Sequence, residues 1–392
     1  MISRLAKAPQ SAQLPAPPPE AAALSAKLAR LIAAEIGRSG GWLSFARYME
    51  LALYAPNLGY YMAGARKLGR DGDFVTAPEL SGLFGRTLAR QLEQLAALGL
   101  TDILEIGAGS GALAADLLIE LERLGCAPPR YLILELSPDL RDRSRDTLAA
   151  RAPHLLERVA WLSALPPAFT GVVIGNEVLD AMPVHVYERR GARILEFGVT
   201  LNEGGLEWAA RPPATSAAGP DPSCLPVDDY RSEVQFVAQG FVRSLGNALA
   251  RGVALLIDYG FPRHEYYHPQ RTRGTLMCHY RHRAHDDPFL HPGLQDITSH
   301  LDFSAIAQAG RQTGLELLGY TNQAQFLVNC GITDVLSETP AEDVAAYAPL
   351  ASQAQKLLSP AEMGEIFKVI ALGKDVAGPL RGFAQGDRLH TL

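Results

Sequence analysis

The stretch Glu105-Ile-Gly-Ala-Gly-Ser-Gly111 constrains the fold of this chain more than any other feature. It follows a short apolar run, Asp102–Ile106, and precedes a helical pattern over Ala112–Leu124. Glycine is needed where the backbone turns tightly and a ligand approaches with no Cβ in the way. The free N–H groups at the start of the following helix point back toward such a ligand. The pattern therefore predicts a strand–turn–helix junction that holds a nucleotide-type cofactor.

Short apolar strands alternate with helical patterns on both sides of this turn, which predicts a mostly parallel sheet of the α/β class. The other predicted strands are Tyr131–Leu136, Gly171–Gly175, Gly252–Asp258, Leu315–Leu318 and Ile366–Leu372. The other predicted helices are Ala21–Ile36, Phe45–Tyr54, Leu140–Arg151 and Phe303–Gln312. Residues 57–86 are rich in glycine, aspartate and aromatics, and we expect loops there.

Two insertions interrupt the alternation: an antiparallel meander over Val184–Trp208 and a mainly helical stretch over residues 321–364. We expect a sheet core in three parts: residues 91–183, residues 245–320 with a loop rich in histidine and arginine, and the last strand at 365–375. The antiparallel insertion with its loop (184–244) and the helical insertion (321–364) separate these parts. A flexible tail (1–20) and an N-terminal helical, substrate-side segment (21–90) precede the core, and a C-terminal tail (376–392) follows it.

Composition narrows the class of protein. The net charge of −6 and the pI near 6.0 argue against binding to nucleic acid. Four cysteines without a CxxC pair argue against a disulfide scaffold or a zinc ribbon, and fit a reducing compartment. No stretch approaches the roughly 20 apolar residues of a membrane span.

The N-terminus carries Arg4 and Lys7 but lacks the continuous apolar core of a secretory signal. An organelle transit peptide is the alternative, which the shortness of the segment and its low content of serine and arginine disfavour. We therefore predict a cytoplasmic location.

Two cofactor classes fit the glycine turn, and a plain structural turn is the third interpretation. Gly107, Gly109 and Ala112 satisfy the looser dinucleotide pattern, with an acid, Glu135, at the end of the next strand to accept ribose hydroxyls. An acid before the turn, as at Glu105, better resembles the first motif of class I methyltransferases. The predicted cofactor-binding residues of this region are Glu105, Gly107, Ala108, Gly109, Gly111 and Glu135.

Polar side chains follow the predicted strand Gly171–Gly175 at the same edge of the sheet. Asn176 is expected beside the cofactor. Glu177 and Asp180 are expected to be catalytic, because two carboxylates can hold a planar guanidinium through paired hydrogen bonds. The alternative is that Asp180 caps a helix and Glu177 faces solvent.

The stretch from His264 to His300 is crowded with histidines, and Cys278 lies within it. No metal is predicted, because the ligand spacing is poor and interleaved arginines, such as Arg281 and Arg283, would repel a cation. A polar loop over the cofactor edge, or a docking surface for an acidic partner, are the alternatives.

Seven ordered motifs between Trp42 and Lys374 resemble the MidA-type family of methyltransferases, which includes mitochondrial complex I assembly factors. The motifs are Leu53-Tyr-Ala-Pro-Asn-Leu-Gly-Tyr-Tyr61, Gly72-Asp-Phe-Val-Thr-Ala-Pro-Glu79, the glycine turn, Asn176-Glu-Val-Leu-Asp-Ala-Met-Pro183, Asp258-Tyr-Gly260, Gln295-Asp-Ile-Thr-Ser-His-Leu-Asp-Phe303 and Phe367-Lys-Val-Ile-Ala-Leu-Gly-Lys374.

The resemblance implies a Rossmann-like class I methyltransferase sheet of seven strands with the last antiparallel, and S-adenosyl-L-methionine as the cofactor. It implies that Asp73 acts in catalysis and that Thr76 and Glu79 bind the cofactor. The family usually carries glutamine after Ser81, where this chain has Gly82. The implied activity is methylation of arginine on a protein such as a subunit of respiratory complex I.

The expected function is therefore a protein arginine methyltransferase. Its expected partner is a protein substrate, and a homodimer is allowed for. The alternatives are an assembly protein that docks a subunit of a respiratory complex without catalysis, and an NAD(P)-dependent oxidoreductase.

Overall fold

The computed structural model describes residues 14–63, 76–214 and 224–392. These residues form two compact units. One unit combines residues 14–63, 181–214, 224–236 and 267–299, and the other combines residues 76–180, 237–266 and 300–392.

The bounds of the elements follow, in chain order. The helices are α1 (Pro19–Arg38), α2 (Phe45–Tyr54), α3 (Ala77–Leu80), α4 (Gly82–Ala97), α5 (Ala112–Arg123), α6 (Pro138–Arg151), α7 (Phe236–Ala248), α8 (Arg263–Tyr266), α9 (Phe303–Arg311), α10 (Gln323–Asn329), α11 (Ile332–Ser337) and α12 (Val344–Leu358). The strands are β1 (Leu43–Ser44), β2 (Ile103–Ile106), β3 (Tyr131–Leu134), β4 (Val159–Leu162), β5 (Phe169–Asn176), β6 (His185–Arg190), β7 (Arg193–Asn202), β8 (Gly205–Arg211), β9 (Tyr230–Val234), β10 (Leu249–Phe261), β11 (Met277–Tyr280), β12 (Arg283–His285), β13 (Asp296–Thr298), β14 (Leu301–Asp302), β15 (Glu316–Asn322) and β16 (Phe367–Lys374).

The second unit is built on one large sheet with the strand order β15-β16-β10-β5-β2-β3-β4, and β14 pairs with β10. Neighbouring strands from β4 to β10 are parallel, whereas β16 runs antiparallel to both of its neighbours. The central strands are apolar and buried on both faces, as a parallel sheet covered by helices requires. The predicted seven-stranded sheet with its last strand antiparallel is confirmed.

Several elements of this unit escaped prediction, among them β4, α4 and α7. The edge strand β4 has a single fully buried residue, Val159, so it lacks the continuous apolar run that marks the inner strands. Helix α4 starts inside the range 57–86, where loops were expected, and that part of the prediction is wrong. The hydroxyl of Ser81 accepts the N–H of Leu83 at 3.1 Å and so caps the helix, whose residues Leu88 and Leu92 are buried in the core.

The last part of the chain also belongs to the second unit. Helices α10 to α12 occupy the stretch 321–364, where a helical insertion was expected. The segment 376–392, expected as a tail, packs on the unit: Leu380 and Phe383 are buried, and the ring of Phe383 contacts Phe326 at 5.4 Å between centroids. Burial of these apolar side chains offsets the entropy of ordering the segment.

The first unit holds two antiparallel sheets. The larger has the order β1-β7-β6-β9, with β8 also on β7, and β6 to β8 form the expected meander. Its core joins α1 and α2 to the sheet through Ile32, Phe45, Tyr48, Val186 and Val199. The smaller sheet, β12-β11-β13, lies within the histidine- and arginine-rich stretch, where a polar loop was one of the interpretations. Within the described ranges, no helix is long and apolar enough to span a membrane.

Candidate active site

The glycine turn connects β2 to α5 at the carboxyl edge of the large sheet. Gly107, Gly109 and Gly111 all have positive φ angles, of 66°, 55° and 81°, which side chains with a Cβ rarely adopt. The N–H of Gly107 donates to the carbonyl of Leu134 at 2.9 Å, and the N–H of Gly111 donates to the carbonyl of Ala108 at 2.8 Å. The turn lies where the strand order reverses between β2 and β5, which is the place where such sheets bind ligands.

Glu105 lies one residue inside the end of β2 and is only 2% exposed. The phenol of Tyr131 donates a 2.6 Å hydrogen bond to its Oε2. Burial raises the pKa of Glu105 to about 7, the bond from Tyr131 lowers it, and the nearby Glu135 raises it further. Near neutral pH this carboxyl is therefore present in both its protonated and its charged form.

Glu135 follows β3 at the same edge and is also buried. The N–H of Ser137 donates to its Oε1 at 2.9 Å. Burial raises its pKa, and backbone N–H groups of Ser137, Leu136 and Gly109 counteract that rise. The bond from Gly109 ties this acid to the glycine turn. The next side chain, Leu136, is 62% exposed, so an apolar surface stands beside the acid.

The end of β5 and the turn after it carry Asn176, predicted to bind the cofactor, and Glu177 and Asp180, predicted to be catalytic. Asn176 donates from Nδ2 to Oε1 of Glu177 at 3.0 Å. Its Oδ1 is buried and has no hydrogen-bond partner among the residues that the structure describes, which leaves an acceptor available to a ligand. Glu177 has a φ of 53°, a strained value for a residue with a Cβ, and Asp180 is buried.

Asp258, on β10, belongs to one of the seven motifs, but it was not predicted as a site residue. It is 1% exposed, and its Oδ2 accepts the N–H groups of Val178, Leu179 and Asp180 at 3.2, 2.8 and 3.2 Å. Burial raises the pKa of Asp258 to about 7, although the backbone bonds lower it. The signal in the sequence was an acid near the end of a buried strand, at the edge that also carries Asn176.

Three residues of the segment before α4 were predicted to belong to the site, and the structure places one of them, Glu79, against the glycine turn. Glu79 accepts a hydrogen bond from the hydroxyl of Ser110, within the turn. Thr76 precedes α3 without a capping hydrogen bond from its side chain. Asp73 lies outside the described residues.

These observations fit S-adenosylmethionine. The glycine turn leaves backbone open to a ligand, two buried carboxyls stand at its two sides, and an exposed apolar side chain and an unpaired amide oxygen lie at the same edge. Parts of the chain that the structure describes contain no group of three histidine, cysteine, aspartate or glutamate side chains placed to hold a metal ion.

Comparison with known proteins identifies the family. A family model described as "Putative S-adenosyl-L-methionine-dependent methyltransferase" matches residues 83–321, more than half of the chain. A crystal structure from Burkholderia thailandensis bound to S-adenosyl-homocysteine is 53% identical, with a TM-score of 0.95, over 97% of this chain and all of that one.

Curated relatives agree with this result and are less similar in sequence. "Protein arginine methyltransferase NDUFAF7, mitochondrial" of Mus musculus is 30% identical over 86% of this chain and 82% of its own length. The Danio rerio protein of the same name is 28% identical over 85% of this chain and 83% of its own length.

The comparisons also correct the sequence analysis. The predicted cytoplasmic location is contradicted by these relatives, which are named mitochondrial. The prediction was wrong because a low content of cysteine indicates only a reducing compartment and does not say which one. The oxidoreductase alternative loses its support, since the bound S-adenosyl-homocysteine of the similar crystal structure is the demethylated form of the methyltransferase cofactor. This chain belongs to the family of S-adenosyl-L-methionine-dependent methyltransferases.

Proposed function

We propose that this protein transfers the methyl group of S-adenosylmethionine to a guanidinium nitrogen of arginine in a partner protein. The observation that carries the proposal is the turn after β5, where Glu177 and the buried Asp180 follow the strand beside the glycine turn. Carboxylates suit a guanidinium because its planar fork of N–H donors matches their oxygens. The names of the mouse and zebrafish relatives support an arginine acceptor.

Each site residue has a proposed role in holding the reactants. The glycine turn and the carboxyl of Glu105 bind the methionine end of the cofactor, while Glu135 accepts hydrogen bonds from ribose hydroxyls and Leu136 packs on the adenine. When bound, the cofactor would supply an electrophilic methyl group on a positively charged sulfur. The carbon–nitrogen bond to the acceptor forms as the carbon–sulfur bond breaks, S-adenosylhomocysteine leaves, and the proton that the nitrogen loses passes to solvent. Most of the gain in rate comes from alignment of the two reactants.

The acceptor side has its own set of residues. Glu177 binds the guanidinium and offsets its charge, so that one nitrogen faces the methyl group. The unpaired Oδ1 of Asn176 accepts an N–H either from the cofactor or from the acceptor. Asp180 adds negative charge to this side of the site, and Asp73, Thr76 and Glu79 are proposed to border it.

Radiolabel transfer tests the acceptor. Purified protein is incubated with tritiated S-adenosylmethionine and an extract of cells that lack the gene, and the labelled proteins are hydrolysed. We expect label in methylarginine, and about a hundredfold less label with Glu177→Gln, since loss of the carboxylate that orients the guanidinium disturbs the alignment of the two reactants. Label in another amino acid would contradict the arginine acceptor.

The identity of the partner is a finer proposal. We propose a subunit of respiratory complex I, on the strength of the family resemblance. Affinity capture from cell extract followed by mass spectrometry tests it. A captured subunit whose arginines remain unmethylated would favour the alternative of an assembly protein that docks without catalysis. The homodimer stays a prediction, which light scattering on the purified protein would check.

A further inference from the structure

The turn after β5 is attached to β10 by four hydrogen bonds. The N–H of Glu177 donates to the carbonyl of Ile257 at 2.9 Å. The next three N–H groups, those of residues 178–180, converge on the single atom Oδ2 of Asp258 at 2.8–3.2 Å. The other carboxylate oxygen, Oδ1, accepts the N–H of Tyr259 at 2.8 Å. Both oxygens of Asp258 are therefore occupied by backbone donors.

We propose that Asp258 is a positioning residue that holds Glu177 and Asp180 in the geometry needed for methyl transfer. This inference rests on the proposed function of those two residues. Asp258 is 1% exposed and every bond described above leads to backbone, so it acts through the turn and not on a substrate. Val178 and Leu179, the two residues between the two acids of the turn, have no side-chain acceptor that could replace these bonds.

The arrangement requires the ionised carboxylate, so exchange and methyl transfer are measured at pH 8, above the pKa of about 7. An asparagine at position 258 would place its NH2 group against backbone N–H donors in either orientation, because both oxygens of Asp258 accept from such donors. One orientation loses the three bonds to residues 178–180, and the other loses the bond to Tyr259. A buried donor left facing a donor is costly, so the turn is expected to rearrange.

The hydrogen bonds to β10 matter because the backbone at Glu177 is strained. Its φ of 53° lies in the left-handed region, which a glutamate leaves unless the surroundings hold it there. The bonds to Ile257 and Asp258 fix both sides of that residue. Without them, Glu177 would relax toward negative φ and its carboxylate would move away from the acceptor.

Asp258→Asn tests the proposal, with Asp302→Asn as the matched control. Asp302 is a buried carboxylate in the same unit whose oxygens accept the N–H of Ala305 and the guanidinium of Arg263, whereas the N–H groups of residues 178–180 bond to Asp258. Amide hydrogen exchange is followed by mass spectrometry in the peptide that covers residues 176–183. Methyl transfer to the extract used above is measured as apparent kcat and as KM for S-adenosylmethionine.

We expect exchange in residues 178–180 to be at least roughly tenfold faster in Asp258→Asn, since charge-assisted bonds that protect those amides are lost. Apparent kcat should fall by a similar factor or more, while KM for the cofactor stays within about threefold, because the glycine turn on β2 is intact. The control should match the wild type in all three measurements. If Asp258→Asn does not fold, Asp258→Glu decides: the charge is kept but displaced, and exchange and kcat should change in the same directions.

Unchanged exchange in residues 178–180 would overturn the proposal, and so would faster exchange with an unchanged kcat. Failure of the proposed function looks different. In that case the wild type transfers no methyl group to arginine, so the role of Asp258 in transfer falls with it, while the exchange measurement still shows whether Asp258 holds the turn.

Discussion

The hydroxyl of Tyr131, on β3, donates a 2.6 Å hydrogen bond to the carboxyl of Glu105 on the neighbouring strand β2. Glu105 is 2% exposed, and Tyr131 lowers a pKa that burial raises to about 7. The tyrosine therefore increases the fraction of the carboxyl that is charged at neutral pH. This pair links the interior of the sheet to the methionine end of the proposed cofactor site.

Tyr131→Phe should weaken binding of S-adenosylmethionine most strongly near neutral pH. Without the donor the pKa of Glu105 rises further above 7, so less carboxylate is available to the amino group of the cofactor. We expect roughly three- to tenfold weaker binding at pH 7.5, which corresponds to one lost hydrogen bond. Calorimetric titrations from pH 6 to pH 9 should place the rise in affinity at higher pH than in the wild type.

Tyr320→Phe is the control for this comparison. Its hydroxyl is buried in the same unit and has no hydrogen-bond partner within the described ranges. The protonation of the cofactor itself changes with pH in the same way in all three titrations, so it does not affect the difference between their midpoints. Equal midpoints in wild type and Tyr131→Phe would remove the tyrosine from cofactor binding.

Glu105→Gln should change how stability depends on pH. The folded state holds the proton of Glu105 up to about pH 7, whereas the unfolded chain releases it near the ordinary value of 4.5. Between these values the folded state binds more protons, so this group's contribution to stability is present below about pH 4.5 and is lost as pH rises to 7. Glutamine removes that loss, which is about 3 kcal/mol, and can still accept the bond from Tyr131.

Urea unfolding at pH 5 and pH 8 measures this effect. We expect the free energy of unfolding of Glu105→Gln to exceed that of the wild type at pH 8 and to be close to it at pH 5. Asp258 also has a pKa raised to about 7, but it contributes equally to the pH dependence of unfolding in both proteins. A substitution of the exposed Glu316 to glutamine serves as the control, and an equal pH slope in Glu105→Gln and wild type would contradict the expectation.

The sequence was sufficient for the framework of the site but not for its internal contacts. The glycine turn, Glu105 and Glu135 could be located because a strand, a turn and a helix follow one another within a few residues. The bonds of Asp258 join residues about 80 positions apart, and no local pattern reveals which backbone N–H groups a distant carboxylate will meet. The same holds for Tyr131, which reads as an ordinary aromatic residue at the start of a strand.

Gly111→Ala should destabilise the protein more than an alanine at another glycine of similar φ. Gly111 has a φ of 81°, and a Cβ there would come within 2.8 Å of Cα of Ser144 on α6. Gly125 has a φ of 75° and open space around it. Gly125→Ala therefore measures the backbone strain alone, roughly 1–2 kcal/mol, whereas Gly111→Ala adds overpacking of about 1–3 kcal/mol.

Urea unfolding of the two variants separates the two costs. The difference between their free energies of unfolding is expected to be at least about 1 kcal/mol. Equal losses in the free energy of unfolding would mean that α6 shifts at little cost to make room for the Cβ. In that case Gly111 is required for the backbone conformation of the turn and not for the close packing of α5 and α6.

Glu177→Asn should raise stability and lower methyl transfer at once. Asparagine tolerates positive φ better than glutamate, so relief of the strain at φ 53° should stabilise the protein by about 1 kcal/mol. Its side chain is shorter and uncharged, so it cannot hold a guanidinium as the carboxylate does, and methyl transfer should fall at least as far as in Glu177→Gln.

Asp229→Asn is the matched control, because Asp229 has the same φ of 53° in an exposed position of the other unit. Because aspartate already tolerates positive φ, the control should change little in stability and keep its activity. A gain in stability without loss of transfer at position 177 would contradict the proposed role of the Glu177 carboxylate in methyl transfer.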